Sequence, residues 1–310
     1  MSLASIVIPS RGGAERLPDL FTALAAQDDA AWEAIVVIDG DIDDSAGVVA
    51  RFSHLPVRAV VFPENRGRVA ALNAGFAEAR GDVLIRCDDD LVPGPGYVRL
   101  HKAALEGPTG GAIGLYLNQL PDTPYARAYG RHADELFRRG AYASDADRHW
   151  RYWAGNCSVT RSTWEAVGPY DPDYRAYGWE DVDWGYRLWT TGASIALVPD
   201  LETTHNVAAV TARTRVLRAF HSGAARRTFE AKHGAGDLPP IAPPATSLWN
   251  RLVLVAARLG SRRRLDLAAR AVDALARVAP RSISRKLIAL LVESAAIAGY
   301  RNPHQTSTGF

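Results

Sequence analysis

Three consecutive aspartates, Asp88-Asp89-Asp90, form the strongest chemical signal in the sequence. They directly follow an apolar run at residues 82–86 that is typical of a buried strand. Neighbouring carboxylates repel one another, so a fold that gathers them at a strand end favours a bound cation. Mg²⁺ and Mn²⁺ prefer oxygen ligands and commonly share one or two protein carboxylates with substrate phosphates. The run therefore predicts a site for a divalent metal and a phosphate, and a solvated acidic turn is the alternative.

A second acidic cluster, at residues 177–183, opens a predicted helix that extends to Thr191. One of its carboxylates, Asp181, could take the proton from an acceptor hydroxyl as that hydroxyl attacks. The alternative is structural, because acidic side chains also stabilise the N-terminus of a helix. Aromatic rings around the cluster favour a carbohydrate partner, since such rings pack on the apolar C–H faces of sugars. These rings belong to Tyr170, Tyr174, Tyr177, Trp179 and Trp184.

Two further features could support a site for a metal and a phosphate. His205 follows a predicted strand at residues 195–198 and could add a nitrogen ligand to Mn²⁺, although a lone histidine is commonly structural. Arg66 and Arg68 flank Gly67 at the start of a predicted helix. A helix N-terminus with arginine beside it attracts phosphate, and an exposed basic turn is the alternative.

Short apolar strands alternate with helices through the first hundred residues, as is typical of a doubly wound parallel sheet. In such sheets ligands bind outside the carboxyl ends of the strands. Ser10, Asp39 and the three aspartates all follow strand ends, so we expect them to converge on one edge of the sheet. The predicted strands are residues 5–9, 34–38, 57–62, 82–86, 152–160 and 195–198, with a helix at 164–167 and an excursion over the site at 120–150.

The basic residues of the chain are concentrated near its C-terminus. The formal net charge is only +2, yet residues 245–310 carry eleven Arg or Lys against three Asp or Glu. A proline-rich stretch at 238–244 predicts a linker, and amphipathic helices are expected at 248–259, 265–278 and 285–300. These helices either pack on the rest of the chain, pack on a second subunit of a homodimer, or lie on an anionic membrane surface. None is an uninterrupted apolar stretch long enough to span a bilayer.

The two cysteines, Cys87 and Cys157, cannot form a disulfide framework, and no His/Cys spacing resembles a zinc site. No secretory signal peptide is visible. We therefore expect a cytoplasmic protein, either free or peripheral on the inner face of the cell membrane. A nucleic-acid partner is not expected, because few aromatic or lysine side chains lie between the C-terminal arginines.

Taken in order, these motifs resemble the family 2 glycosyltransferases of the GT-A fold over residues 4–210. The three aspartates at 88–90 resemble the DxD motif of that family, and residues 178–181 resemble its ED motif. The other matching segments are residues 5–10, 35–40, Asn65-Arg66-Gly67, Asn73-Ala74-Gly75, 155–171 and His205.

The resemblance implies an α/β catalytic domain at residues 1–237, a Rossmann-like and mostly parallel sheet flanked by helices. Residues 1–100 would bind the nucleotide-sugar and residues 101–237 would form the acceptor side, with residues 245–310 as a helical appendage. The implied reaction is an inverting transfer from a nucleotide-diphosphate sugar, with UDP favoured, to a hydroxyl of a carbohydrate, lipid-linked or small-molecule acceptor. Such transfers serve the synthesis of cell-surface glycans or glycosylated natural products.

The resemblance also implies a role for each matching residue, and Mn²⁺ or Mg²⁺ as the cofactor. Asp181 is the expected general base, with Glu180 beside it. The metal ligands would be Asp90, Asp88 and His205. The nucleotide and donor sugar would contact Pro9, Ser10, Arg11, Asp39, Asn65, Arg66, Arg68, Asn73, Asp88 and Asp89, and the acceptor would contact Gly155, Asn156, Trp179 and Glu180.

Two positions depart from the family pattern. An acidic run at residues 41–44 replaces the usual small polar residues after Asp39-Gly40, which leaves the base open, and Leu72 stands where many relatives have arginine. A sugar nucleotidyltransferase is the rival enzyme, although it is expected to carry a longer Gly-rich phosphate loop than residues 10–13. A non-catalytic module that binds a nucleotide-sugar is the other rival, and it would not need Asp181.

Overall fold

The computed structural model describes residues 2–174, 178–206, 209–236 and 238–306. These residues form two compact units, and the chain passes between them several times. Unit 1 contains the described residues of 1–119, 138–173 and 180–206. Unit 2 contains those of 120–137, 174–179 and 207–310. Both acidic clusters of the sequence, at 88–90 and 180–183, therefore belong to unit 1.

The strands of unit 1 form two sheets. The strands are β1 (Ala4–Ser10), β2 (Trp32–Asp39), β3 (Val57–Phe62), β4 (Val83–Cys87), β5 (Leu91–Val92), β6 (Thr109–Ile113), β7 (Tyr116–Asn118), β8 (Asn156–Thr160), β9 (Ser194–Leu197) and β10 (Thr203–His205). The larger sheet has the order β3-β2-β1-β4-β8-β6-β9, and the smaller has the order β5-β10-β7. β3, β2, β1 and β4 are mutually parallel, whereas β8 is antiparallel to both of its neighbours.

Helices cover the larger sheet of unit 1 and account for the composition of its strands. β1 and β2 are buried along almost their whole length, which explains their continuous apolar sequence. The main core joins strand residues such as Ile6 and Val36 to helix residues such as Leu20 and Phe21. The helices are α1 (Leu17–Ala25), α2 (Ser45–Arg51), α3 (Arg68–Glu78), α4 (Tyr97–Ala104), α6 (Arg161–Val167) and α7 (Glu180–Thr190), with 3₁₀ turns at Ala146–Tyr152 and Pro199–Leu201.

Unit 2 is helical. Its longest helices pack against each other through a core that includes Val216 and Phe220 on one helix and Ile288 on the other. The helices are α8 (Ala212–His233), α9 (Leu248–Leu259), α10 (Arg262–Leu275) and α11 (Arg281–Arg301), with a π-helical segment at Ala126–Gly130 and a 3₁₀ turn at Pro303–Gln305. The helix α5 (Arg131–Tyr142) begins in unit 2 and ends in unit 1. Among the described residues, no helix is long and apolar enough to cross a membrane.

The predicted fold class is confirmed: the chain has a mixed α/β body with a mostly parallel sheet, followed by a helical C-terminal region. The first four strands lie within two residues of their predicted bounds. The sheet is mixed rather than wholly parallel, because β8 runs against its neighbours.

The predicted excursion at 120–150 is largely helical. The units also divide the chain differently from the predicted domains, because α8 packs with the C-terminal helices although the prediction assigned it to the catalytic domain.

Candidate functional site

The smaller sheet brings His205 to the acidic run. β10 pairs with β5 so that His205 lies opposite Leu91, and it pairs with β7 so that His205 lies opposite Asn118. His205 Nδ1 donates to Asn118 Oδ1 at 2.5 Å, and its Nε2 lies 3.1 Å from Asp90 Oδ2. With the ring proton on Nδ1, a neutral imidazole turns its Nε2 lone pair toward the carboxylate. Two acceptor atoms this close require a proton or a cation near them.

The atoms around Asp90 fit a divalent cation. Asp90 Oδ1 is buried and makes no hydrogen bond within the described part of the chain. Two ligands that bind one metal at about 2.1 Å and at right angles are about 3 Å apart, close to the spacing of the Asp90 and His205 atoms. Nowhere in residues 2–174, 178–206, 209–236 and 238–306 do three His, Cys, Asp or Glu side chains gather to hold a metal. Two protein ligands suit a cation that is completed by substrate phosphate and water.

Asp88 is turned toward Arg86, a buried arginine of β4. Nε and Nη2 of Arg86 lie 3.2 and 3.1 Å from Asp88 Oδ1. Nη1 of the same guanidinium donates to Asp181 Oδ1. Arg86 is 1% exposed, so both ion pairs form largely out of water. One guanidinium therefore joins the DxD-like run at 88–90 to the ED-like pair Glu180-Asp181. The two motifs lie about ninety residues apart in sequence.

The two carboxylates that share Arg86 differ in pKa. Burial by itself would raise the pKa of Asp88, but the positive charges of Arg86 and Arg68 outweigh it and hold that pKa below its usual range. Burial raises the pKa of Asp181 to about 7; Arg86 opposes this shift, and the negative charge of Glu180 adds to it. A carboxylate with a raised pKa is a stronger base than a free aspartate, so Asp181 is suited to accept a proton near neutral pH.

Gly155 lies against the carboxylate of Asp88. Its carbonyl accepts the Asp88 backbone N–H at 2.9 Å, and its own N–H donates to the Tyr116 hydroxyl at 2.8 Å. A Cβ at position 155 would lie 2.2 Å from the Asp88 carboxylate. Glycine is therefore required here by the close approach of Asp88, and this gives the predicted acceptor residue Gly155 a structural role.

Asp89 holds the loop after β1 in place. Its carboxylate accepts the Ser10 hydroxyl at 2.6 Å and a two-point contact from Arg16, with Nε at 3.1 Å and Nη2 at 2.8 Å. Burial raises the pKa of Asp89, and the bonds from Arg16 and Ser10 oppose that shift. Ser10 and Asp89, both predicted to contact the donor, are thus bonded to each other, and Pro9 is a half-buried residue of β1.

Asp39 organises the loop before α3. Its two carboxylate oxygens accept the backbone N–H groups of Arg66 at 2.5 Å and Gly67 at 2.9 Å. The side chain of Asn65 accepts the same Gly67 N–H, and Arg11 Nη1 donates to the carbonyl of Asp39 at 2.7 Å. The predicted nucleotide-contacting residues Arg11, Asp39, Asn65 and Arg66 are therefore neighbours at one strand end, as expected for parallel strands.

Arg68 and Glu180 connect this loop to the second acidic cluster. Arg68 Nη1 lies 3.5 Å from Glu180 Oε1, and Glu180 is 3% exposed. Its other oxygen, Oε2, is buried and makes no hydrogen bond to any described residue. Asn73, predicted to contact the donor, instead exchanges both of its amide hydrogen bonds with the backbone of Tyr170, at 2.9 and 2.8 Å. Asn73 therefore holds α3 to the segment that precedes the ED pair.

The prediction that Asn156 contacts the acceptor is corrected by the structure. Asn156 is fully buried, and its amide donates to the Leu201 carbonyl and the Thr203 hydroxyl. Its Oδ1 lies 3.1 Å from His101 Nε2, and His101 Nδ1 lies 2.8 Å from the Ser158 hydroxyl. Asn156 Oδ1 can only accept, so a neutral His101 carries its proton on Nε2. Asn156 thus joins β8 to α4 from inside the protein.

The aromatic rings around the ED pair are also mostly internal. Tyr170 and Trp184 are 1% exposed. Trp184 stacks on both Tyr170 and Trp164, and Tyr170 and Trp164 meet at a tilt, so the predicted carbohydrate stacking does not apply to Tyr170 or Trp184. Tyr174 is buried as well, and Tyr177 lies outside the described residues. Trp179 belongs to unit 2, where its indole N–H donates to the Ser222 hydroxyl at 3.0 Å. Its backbone φ of 73° is strained for a bulky residue, directly before Glu180.

Sequence reasoning missed Arg86, Arg16, Asn118 and Tyr116. Arg86 had a usable signal, because an arginine at the end of a run that is typical of a fully buried strand needs buried carboxylate partners. Arg16 lies between a predicted loop and a predicted helix, and no pattern of residues around it indicated a functional role. Asn118 and Tyr116 belong to a short strand that the sequence analysis did not predict, and their contacts depend on strand register.

Solved structures with similar folds support the architecture. A mannosyltransferase, PcManGT from Pyrobaculum calidifontis, solved in complex with GDP-Man and Mn²⁺, is 19% identical with a TM-score of 0.62, covering 96% of this chain and 87% of that chain. TarS from S. aureus is 12% identical with a TM-score of 0.54, covering 92% and 54% of the two chains. These similarities establish the GT-A type of fold.

Sequence comparison gives the family. The model of glycosyl transferase family 2 matches residues 5–163, about half of the chain, and the chain belongs to that family. The match contains the DxD-like run, whereas Asp181 and His205 lie beyond it.

Three relatives illustrate the range of the family. The uncharacterised glycosyltransferase YfnE of Bacillus subtilis is 25% identical over 65% of this chain and 64% of its own length. An undecaprenyl-phosphate 4-deoxy-4-formamido-L-arabinose transferase of Pseudomonas syringae is 31% identical over 59% and 49%. Validoxylamine A glucosyltransferase of Streptomyces hygroscopicus is 28% identical over 61% and 52%. The matched regions thus span about half to two thirds of these relatives.

Proposed function

We propose that the protein is an inverting glycosyltransferase that uses a nucleotide-diphosphate sugar and Mn²⁺ or Mg²⁺. The observation that carries the proposal is the bridge through Arg86, which places Asp181 next to Asp88 and hence next to the DxD-like run. An inverting transfer needs a base beside the donor site, because the acceptor oxygen must attack the anomeric carbon while it loses its proton. Membership of family 2 supports the same reaction class.

On the donor side, we propose that Asp90 and His205 hold the cation together with the diphosphate. The cation would stabilise the negative charge that develops on the departing diphosphate. Arg68 and the backbone N–H groups at the start of α3 are additional candidates for phosphate contacts. The loop organised by Asp39 would receive the nucleotide base. We propose a uridine nucleotide, by the family resemblance, and GDP is the first comparison because PcManGT was solved with GDP-Man.

On the acceptor side, we propose that Asp181 is the general base. Its Oδ1 is held by Arg86, and its side chain remains 15% exposed, so the carboxylate is fixed yet accessible. The acceptor hydroxyl transfers its proton to Asp181, its oxygen forms the new bond to the anomeric carbon, and the bond from that carbon to the diphosphate oxygen breaks. The attack comes from the face opposite the leaving group, so the configuration inverts. Glu180, buried beside Asp181, raises the proton affinity of that carboxylate.

The acceptor is proposed to be the hydroxyl of a carbohydrate, a lipid-linked molecule or another small molecule. The names of two relatives illustrate two of these classes, an undecaprenyl-phosphate acceptor and validoxylamine A.

A thermal-shift screen tests the proposal. UDP, GDP, dTDP and their sugars are added with and without Mn²⁺, and the melting temperature is measured. Mass action predicts that the true nucleotide stabilises the fold by about 2.7 kcal/mol at a concentration one hundred times its dissociation constant. We expect this stabilisation to require Mn²⁺ or Mg²⁺.

Two variants test the proposed metal site, and a third is the control for effects that any surface substitution would have. Asp90→Asn and His205→Ala should abolish the metal dependence of the nucleotide-induced shift. Asp200→Asn, which changes an exposed aspartate of unit 1, serves as the control and should behave like the unaltered protein. A protein in which no nucleotide raises the melting temperature in the presence of metal would not be a nucleotide-sugar transferase.

A further inference from the structure

Helix α9 of unit 2 displays a row of exposed apolar side chains. Leu248 is 75% exposed, Leu252 47%, Val255 50% and Leu259 63%. Large apolar side chains are often exposed singly, but four at successive turns of one helix form a continuous surface. A continuous apolar surface of this kind is typical of a site that associates with a membrane or another protein.

The row faces away from the protein core. With 3.6 residues per turn, the four side chains fall within an arc of about 60°. The buried residues of the same helix, Val253 and Ala257, point about 150° away from the centre of that arc. α9 thus has two apolar faces: one packs against the rest of unit 2, and the other is exposed.

Arginines lie along one flank of the exposed row. Arg251 and Arg258 are seven residues apart, which places them one above the other beside the apolar side chains, and both are exposed. Helix α10 has a similar composition on its surface: Leu267 and Leu275 are exposed apolar residues, and the exposed Arg270 lies one turn after Leu267. An apolar row with a basic flank is typical of helices that lie in the plane of a bilayer surface.

The charge of unit 2 favours an anionic partner. Residues 120–137, 174–179 and 207–310 contain 20 Arg or Lys against 8 Asp or Glu, a net charge of +12. The remaining residues, which form unit 1, carry 16 against 26, a net charge of −10. Anionic lipid headgroups attract clusters of this kind over the range of a Debye length.

We propose that α9 is a membrane-docking helix that lies in the headgroup region of an anionic bilayer, with Leu248, Leu252, Val255 and Leu259 inserted and Arg251 and Arg258 against the headgroups. Charge favours this occupant over a second copy of the chain. An antiparallel pairing of two α9 helices through the row would place both arginine columns on the same side, where they repel each other. The proposal does not depend on the identity of the donor or the acceptor.

Vesicle flotation tests the proposal with the full-length protein. Vesicles that mix phosphatidylglycerol with phosphatidylcholine are compared with vesicles of phosphatidylcholine alone, at low and high salt. We expect binding to the mixed vesicles that weakens as salt rises. The double variant Leu248→Gln/Leu252→Gln should bind at least tenfold more weakly. Arg251→Gln/Arg258→Gln should bind roughly thirtyfold more weakly to the anionic vesicles.

Val61→Gln is the matched control, because Val61 is an apolar residue of unit 1 that is 48% exposed, close to the 47% of Leu252. It should leave vesicle binding unchanged, and the melting temperatures of all variants confirm that they fold. Light scattering of the same samples measures the oligomeric state. Absence of vesicle binding, or a dimer that the Leu248→Gln/Leu252→Gln variant converts to a monomer without any change in vesicle binding, would overturn the proposal.

Discussion

The two units of the protein differ in what they bury and what they expose. Unit 1 buries many polar and charged side chains, among them Asp39, Arg86, Asp89, Glu180 and Asp183. Unit 2 buries far fewer, yet it carries most of the large apolar side chains that are exposed. Buried charge costs folding free energy, and exposed apolar surface costs solubility. Buried charge in unit 1 and exposed apolar surface in unit 2 are both unfavourable for a folded protein. The first is consistent with the proposed chemistry in unit 1, and the second with the proposed association through unit 2.

The largest expected effect concerns Asp181 of unit 1, the proposed general base. Asp181→Asn keeps the shape of the side chain and its contact with Arg86 but removes the basic carboxylate. We expect kcat to fall about 100- to 10,000-fold, the usual contribution of a general base. The measurement is the initial rate of nucleotide-diphosphate release with the donor and acceptor found by screening.

Asp200→Asn is the matched control for that loss, since it removes an exposed carboxylate of the same unit. If the Asp181→Asn variant retains full turnover, Glu180 and Asp181 have only a structural role. The larger number of buried charges in unit 1 would then not indicate catalysis there.

The next effect compares one buried arginine in each unit. Arg86→Met leaves Asp88 and Asp181 without their shared cation, and we expect the free energy of unfolding to fall by about 3–5 kcal/mol. Arg226→Met in unit 2 should cost less, because Glu230 keeps the hydrogen bond from the Tyr300 hydroxyl. Urea unfolding measures both, and equal losses would show that unit 1 does not depend more strongly on buried charge.

Two glycines give a smaller effect within unit 1. Gly155→Ala should lower the stability by about 1–3 kcal/mol and weaken nucleotide binding, because its Cβ would displace Asp88 from Arg86. Gly140→Ala is the control, since Gly140 lies in α5 and a Cβ added there would meet nothing within 4 Å apart from its chain neighbours and the backbone of its own helix. It should stabilise the protein by up to about 1 kcal/mol. Thermal unfolding with and without nucleotide separates the two effects.

The smallest effect is a pH dependence that arises in the core of unit 1. Burial lowers the pKa of His101 to about 3, from an ordinary value of 6.5. The unfolded chain therefore binds a proton below pH 6.5 that the folded protein does not, so this contribution to stability is complete at higher pH and is lost as the pH falls. We expect a loss of about 1.5 kcal/mol between pH 6.5 and pH 5.

His101→Gln should flatten that part of the stability profile, whatever its effect on the absolute stability. His132→Gln, a change at an exposed histidine of unit 2, should leave the slope as it is in the unaltered protein. If both variants give the same profile, the acid sensitivity comes from other groups.

The sequence predicted the elements that depend on local pattern. The buried strands and the carboxylates that follow them were located from apolar runs and from the convergence of parallel strand ends. The partners of those carboxylates were not located, because Arg86 meets Asp181 only through tertiary packing, and Asn118 meets His205 only through strand register. Tertiary packing also decided the outcome for the aromatic residues. Their clustering in the sequence suggested rings that stack on sugars, whereas packing places Tyr170 and Trp184 in the interior.

The close contact between α8 and α11 has a consequence for how the chain can be divided. A Cβ at Gly223 would lie 1.9 Å from the Ala296 carbonyl oxygen, and one at Gly299 would lie 1.8 Å from that of Phe220, so the two helices meet backbone against backbone. Cutting the chain within the proline-rich stretch at 238–244 would remove α11 and leave the apolar side of α8 bare. The segment after that stretch thus completes a shared core, and a shortened chain that ends there is expected to aggregate rather than to yield an isolated catalytic domain.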